Sequence, residues 1–404
     1  MKKKIKFLLF SSMFLGCFLI AQSFLITGGY AQAADSVATA DIAAAKAEAA
    51  SADKLAAAIA DAGDKIQSDA QPGFLNIPGA PSVNLIMAFF WAILVGWIFS
   101  TVGAFGGIMS GVGHITVYGL GDYASSFGKG TALNALITDS IRVSNQWMVG
   151  TSSGISVVNY YKMGRLVLPL GLALAVGSVA GSYLVPWLTA GKISLKAYLG
   201  YFGLFVLGLG VYLFWQTTPK AQAGQTKAKE AAKAFEASIK KGDNAATDND
   251  AHGVKVVSFS CKKCVFTFYG VEFEFNPFIP VVGGFLIAAL ASFLGVGGGF
   301  LIVPFLTAVA GLPMYLVAGT SALAVLVGMI TSIFTYMVVK EVPIFWPLIG
   351  VELAGILVGS FVGPRTSKYI SDIWLKRLFV LLAFYVGIRY TSKGFLGYSL
   401  LPPF

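Results

Sequence analysis

Two glycine-rich breaks inside long apolar runs carry the residues best suited to chemistry in this chain. The first reads Gly103-Ala104-Phe105-Gly106-Gly107 and is followed by Gly130-Thr131-Ala132. The second reads Gly295-Val296-Gly297-Gly298-Gly299 and is followed by Gly319-Thr320-Ser321-Ala322. In lipid an unpaired backbone amide costs several kcal/mol, so a helix breaks at membrane depth only where protein or a watery cavity satisfies the freed groups. Exposed N–H groups and the positive ends of half-helices suit an anion, and neutral hydroxyls add donors. Gly106, Gly107, Thr131, Gly297, Gly298, Gly299, Thr320 and Ser321 are therefore candidate substrate contacts. The alternative is that these glycines only permit close helix packing, as small residues do in membranes.

Ionisable side chains inside the apolar runs form a second set. Residues 130–150 (GTALNALITDSIRVSNQWMVG) place Asn134, Thr138, Asp139, Arg142, Asn145 and Gln146 in one span. Asp139 and Arg142 are three apart, hence on one helical face, and Asn134, Thr138 and Arg142 follow at four-residue spacing. A charge within a span costs about 3 kcal/mol on insertion scales and is by default a functional hypothesis. Arg142 would hold an oxyanion through its planar fork, with Asn134 beside it. Otherwise Asp139 and Arg142 form a structural pair, or the helix ends there and both lie at the interface. Glu352 stands alone mid-span and suits proton coupling, as does Asp139; a hydrogen bond to a neighbouring hydroxyl or backbone group is the plainer role. His114, beside the first break, is either a substrate contact or an ordinary hydrogen-bonded histidine.

The elements that must position these groups follow from composition. Of 404 residues, 56% are hydrophobic and only 12% charged, about half the share expected in a soluble globular protein. Charges are absent between Asp69 and Asp122, Arg165 and Lys192, Lys196 and Lys220, and Glu274 and Lys340. Each gap exceeds the roughly 20 residues that cross a bilayer as a helix, and the runs are apolar on every face, which excludes a barrel. The chain reads as an all-α, polytopic helical membrane protein. Its net charge of +10 belongs to cytoplasmic loops and anionic lipid, and no nucleic-acid partner is expected.

Five segments result. Residues 1–33 have a basic start, an apolar middle and an Ala31-Gln32-Ala33 ending, the build of a signal peptide or an N-terminal anchor. Residues 34–80 are an alanine-rich helical segment outside the cytoplasm. Residues 81–215 are a first transmembrane repeat, with spans near 130–150, 166–188 and 197–215. Residues 216–275 are a cytoplasmic loop with nine lysines, a surface helix over 220–241 and a β-hairpin over 254–275. Residues 276–404 are a second repeat, with spans near 316–339, 343–363 and 375–391. If each glycine-broken run goes in and returns, and three spanning helices follow, each half makes an odd number of crossings. The halves are then inverted, and most basic residues fall inside; Lys192 and Lys196 are the exceptions.

The hairpin turn would lie at Cys261-Lys262-Lys263-Cys264. Cys261 and Cys264 are weak metal candidates, since a structural zinc site wants four ligands and only His252 stands nearby. A redox switch and simple turn cysteines are the other readings.

The run Gly295 to Pro304, with Gly311-Leu312-Pro313 and Gly319-Thr320-Ser321 after it, resembles the signature of the sulfite exporter TauE/SafE family. The resemblance covers about 275–391. In the first half the triple glycine shrinks to Gly106-Gly107, no proline follows Ile108-Met109, and Ala132 replaces the serine. It implies two repeats and a permease for small sulfur-containing anions, sulfite or an organosulfonate, in a bacterial-type cytoplasmic membrane. Ion-gradient drive is the expected energy source, because no Walker loop or nucleotide fingerprint is present. No enzyme activity and no cofactor are expected, and a homodimer is compatible. The competing classes are a thiol-redox membrane protein and a membrane sensor using the Cys261/Cys264 loop. The first would want cysteines within the apolar helices, and the second a larger effector domain.

Overall fold

The computed structural model describes residues 49–401 apart from 68, 104–105, 129, 190–194, 219–225, 241–252, 261 and 295–298. The leader at 1–33 and residues 34–48 of the alanine-rich segment lie outside the described residues. A helix over 49–62, α1, ends in a short 3-10 turn at Gly63–Lys65. From Ser51 onward the chain forms one compact unit.

The first repeat contains α2 (Leu85–Val102), α3 (Gly106–Val112), α4 (Leu120–Ser126), α5 (Ala132–Lys162), α6 (Leu168–Thr189) and α7 (Leu195–Gln216). A π-turn over Gly113–Val117 joins α3 to α4. The interlude holds α8 (Thr226–Lys240) and strands β1 (Lys255–Phe259), β2 (Cys264–Phe268) and β3 (Val271–Phe275). The second repeat runs through α9 (Phe278–Leu294), α10 (Gly299–Ala308), α11 (Met314–Phe334), a π-turn at Thr335–Val339, α12 (Trp346–Ser367) and α13 (Asp372–Phe395). The expected hairpin is a three-stranded antiparallel sheet in the order β1-β2-β3, because Tyr269-Gly270 supplies a second turn with positive φ at both residues.

Local sequence explains the helix starts. Asn84 caps α2, its side chain accepting from the amides of Ile86 and Met87, and Thr131 caps α5 by accepting from Asn134 N at 3.3 Å. Asp372 accepts from Met314 N at 2.6 Å, so a carboxylate from α13 sits at the positive end of α11. Helices Leu85–Val102, Met314–Val339 and Trp346–Ser367 are long and apolar enough to cross a membrane, and shorter apolar stretches lie in α6, α7 and α9. Helix α5 is different. It extends 31 residues, well past the 130–150 expected, and buries Ser140, Ser144, Ser152, Ser153 and Ser156.

Packing exchanges the two repeats. Helix α2 lies against α12, and its counterpart α9 lies against α6; α5 meets α12 as α11 meets α6. The remaining extensive pairs, α5 with α11 and α7 with α13, join equivalent helices. Close approach of α2 and α12 depends on Gly355, Gly359 and Gly363, where an added Cβ would strike the backbone or side chains of α2. Each repeat therefore buries its apolar faces mainly on the other, and neither forms a core alone.

Candidate functional site

The first break turns at Gly103, whose φ is +90°, a conformation that glycine adopts without steric cost. A side chain there would also meet Ser321 Oγ at 2.8 Å and Val303 at 2.9 Å. The first break thus abuts the Gly-Thr-Ser segment of α11 and Val303 of α10, both from the second half of the chain. Gly106 and Gly107 open α3, which folds back so closely that a Cβ on Gly106 would strike Phe99. Gly299 opens α10, while Gly297 and Gly298 lie outside the described residues.

The hydroxyls nearby are partly committed. Ser321 donates back to Ala318 O at 3.2 Å, and Thr320 Oγ1 accepts from Val167 N at 3.2 Å, tying α11 to the start of α6. Thr131 and Asn134 serve the junction before α5: Thr131 donates to Gly128 O and Asn134 to Ala124 O. Buried hydroxyls of Thr101, Ser140 and Ser156 have no hydrogen-bond partner among the described residues, so they remain available to water or an anion.

Asp139 and Arg142 do meet, at 2.8 Å, with Lys340 3.6 Å from the other carboxylate oxygen. Their side chains are 20% and 33% exposed, and Lys54 of α1 adds a 2.6 Å bridge to the adjacent Glu341. This is a charged network at the helix ends, fed by both repeats and by the segment before them. Of the readings open in the sequence, the geometry matches an ion pair near the interface.

His114 and Glu352 form a contact that the sequence did not announce. His114 sits in the π-turn after α3 and Glu352 six residues inside the start of α12, about 9 Å along the axis. His114 Nε2 lies 3.2 Å from Glu352 Oε1, and both side chains are wholly buried. His114 Nδ1 lies 3.1 Å from Ser110 O, an acceptor only, which places a proton on Nδ1. Nε2 and a carboxylate oxygen then face each other, and their contact requires one further proton, carried by either group. Without it two acceptors would confront each other in the interior with a net negative charge. Ser110 Oγ donates to Asn145 Oδ1 at 2.8 Å, and Asn145 in turn interacts with His114. Tyr118 stacks edge-on to His114 at 5.3 Å and interacts with Glu352. His114 Nε2, both oxygens of Glu352 and the Tyr118 hydroxyl have no hydrogen bond of good geometry among the described residues, so the pair is defined by its 3.2 Å proximity.

Ser110 and Tyr118 escaped sequence reasoning, and Asn145 was marked only as one polar residue of its span. His114-x3-Tyr118 and Ser110-x3-His114 spacing was the available signal, but nothing local pointed to Glu352. Arg165 was also missed; it is 2% exposed and is described below. In the interlude Cys264 is fully buried and Cys261 lies outside the described residues. Burial pushes the Cys264 thiol up, opposite to the shift that makes a redox-active thiolate.

The family profile described as sulfite exporter TauE/SafE matches residues 88–390, which is most of the chain and includes both breaks and both members of the buried pair. A probable membrane transporter protein of Methanocaldococcus jannaschii is 32% identical over 117 residues, or 27% of this chain. That match spans 43% of the relative's length, under half. No solved structure matches significantly. The broken apolar helices, the buried polar cluster and the extent of the profile match lead to one conclusion: this multi-pass membrane protein belongs to the sulfite exporter TauE/SafE family.

Proposed function

We propose that the chain exports a small sulfur-containing anion, sulfite or an organosulfonate, across a bacterial-type cytoplasmic membrane, driven by the proton gradient and working as a transporter without enzymatic chemistry. Supporting the anion are the Ser321 hydroxyl, set against Gly103, and the unpartnered buried hydroxyls of Thr101 and Ser156. The exchange of packing partners between repeats supports an inverted pair of repeats rocking about a shared site.

The observation that carries the coupling is the His114–Glu352 contact. It joins the broken element of one repeat to a spanning helix of the other, and two facing acceptors need one shared proton for the contact to be favourable. Movement of one repeat against the other would part the pair and leave each group seeking a different proton count. Proton exchange is thereby tied to the same motion that exposes the anion.

A panel of purified-protein binding measurements with sulfite, sulfate, thiosulfate, sulfoacetate and taurine tests the substrate class. Saturable binding of at least one, weakened up to about tenfold by Ser321→Ala through loss of one neutral hydrogen bond, is the expected result. Binding of none, or identical binding by the variant, would remove the proposed site.

A further inference from the structure

The geometry points to a second anion-binding residue, Arg165, at the cytoplasmic mouth, covered by helix α8 so that α8 must lift before an anion reaches it. Its placement on the cytoplasmic side rests on the transport reading above and its topology.

Arg165 lies between α5 and α6 and is 2% exposed. Its guanidinium carbon is 4.8 Å from the Tyr160 ring, 5.1 Å from Phe235 and 5.3 Å from Tyr315. Nε donates to Tyr315 O at 3.1 Å and Nη1 donates to Pro364 O at 3.5 Å, while Nη2 has no partner among the described residues. Among the described residues no carboxylate forms an ion pair with it. Three aromatic faces and two carbonyls therefore hold a permanent cation in place without neutralising it. A buried guanidinium that keeps a free donor edge is suited to a small oxyanion, which would take Nη2 and supply the missing charge.

The residues around it come from every part of the chain. Tyr160 belongs to the first repeat, Tyr315 and Pro364 to the second, and Phe235 to α8. Phe235 also stacks on Phe268 of the sheet at 6.0 Å. Glu236, the next residue, latches α8 down by accepting from Tyr315 Oη at 2.9 Å and Asp372 N at 3.2 Å. Lys376 lies 3.1 Å from Asp372, so the latch ties α8 to an ion pair at the start of α13. Lys227, Lys229 and Lys233 on the exposed face of α8 would concentrate anions above it.

The test is hydrogen exchange of residues 226–240 in the full-length protein in nanodiscs, titrated with sodium sulfite or sodium sulfate against sodium chloride at constant ionic strength. Either oxyanion should speed exchange of α8 several-fold in the wild type, and the better one identifies the preferred chemistry. Arg165→Lys should raise the midpoint about tenfold by losing the planar fork, and Arg165→Gln should abolish the response. Phe235→Ala should lower the midpoint, because less cover has to be displaced. A helix that responds equally to chloride, or an Arg165→Gln protein that still responds, overturns the inference. If Arg165→Gln does not fold, the Phe235→Ala midpoint decides, and an unchanged value refutes the cover. A responsive helix in a protein that carries no sulfur anion into vesicles supports the Arg165 site while counting against the transport reading. Vesicles that carry the anion with α8 unresponsive refute the Arg165 site alone.

Discussion

Asp139–Arg142 and His114–Glu352 are both acid–base pairs close to helix starts, yet they differ in separation along the chain and in access to water. The first is made within one helix turn, with side chains 20% and 33% exposed and Lys340 at 3.6 Å. The second joins residues from opposite repeats with no exposure at all. A pair that water reaches contributes little and tolerates change. A pair sealed between moving parts costs much when broken and senses their relative position. The membrane context alone does not make a charge functional; its partner's origin and its burial do.

The largest effect should come from breaking the sealed pair on one side only. His114→Leu or Glu352→Leu leaves a lone buried polar group, and each should lower stability by about 3 to 5 kcal/mol. The double substitution should recover most of that loss while transport stays absent, and thermal unfolding of the three purified proteins checks both statements. Recovery of transport in the double variant would break the comparison.

A smaller loss is expected where the first break meets α10 and α11. Gly103→Ala forces a Cβ into a conformation that costs roughly 1 to 2 kcal/mol and pushes it against Ser321 and Val303. Flux in vesicles should fall more than the melting temperature does, since the displaced atoms belong to the proposed anion site.

The exposed pair should respond least among the ion pairs. Asp139→Asn with Arg142→Gln should change stability by roughly 0.2 to 1 kcal/mol and leave transport near normal, read by unfolding and by anion flux. A folded but inactive double variant would move Arg142 into the path and reverse the ranking of the two pairs.

Burial also sets the smallest expected effect, at Cys264. Its thiol is pushed up by burial, so less thiolate is present at any given pH than for an ordinary cysteine. Alkylation by N-ethylmaleimide should be slow at neutral pH and accelerate only as pH passes above the usual thiol range. Rapid labelling at neutral pH would restore the redox reading.

Much of the architecture was legible because lipid imposes strict rules. Charge-free gaps contain the apolar helices Leu85–Val102 and Met314–Val339, whereas Trp346–Ser367 carries Glu352 and Arg365 and had to be read from its apolar run, and the glycine cluster at Gly103–Gly107 marks a turn between α2 and α3. The Gly103 to Ser321 approach was half legible, since the first break and the Gly-Thr-Ser segment were each visible but their meeting depends on how the two halves interlock. His114–Glu352 was not legible as a pair. Its members are 238 positions apart, and no local pattern encodes which helix of one repeat lies on which helix of the other. Arg165 was hidden for a related reason. A basic residue just beyond a span reads as an ordinary interfacial anchor, and only packing of α8 from the interlude buries it. The three-stranded sheet differed from the expected hairpin because Tyr269-Gly270, two residues inside an apolar run, forms a tight turn.

The most direct measurement of the central claim is simultaneous recording of anion and proton movement in vesicles, using whichever fully ionised sulfur anion the wild type carries. Wild-type protein should move protons in fixed proportion to the anion and accumulate it when a pH gradient is imposed. Glu352→Gln should still exchange anion for anion but neither move protons nor accumulate the anion. Accumulation by Glu352→Gln with the wild-type proton flux would contradict the account, as would wild-type transport with no proton movement.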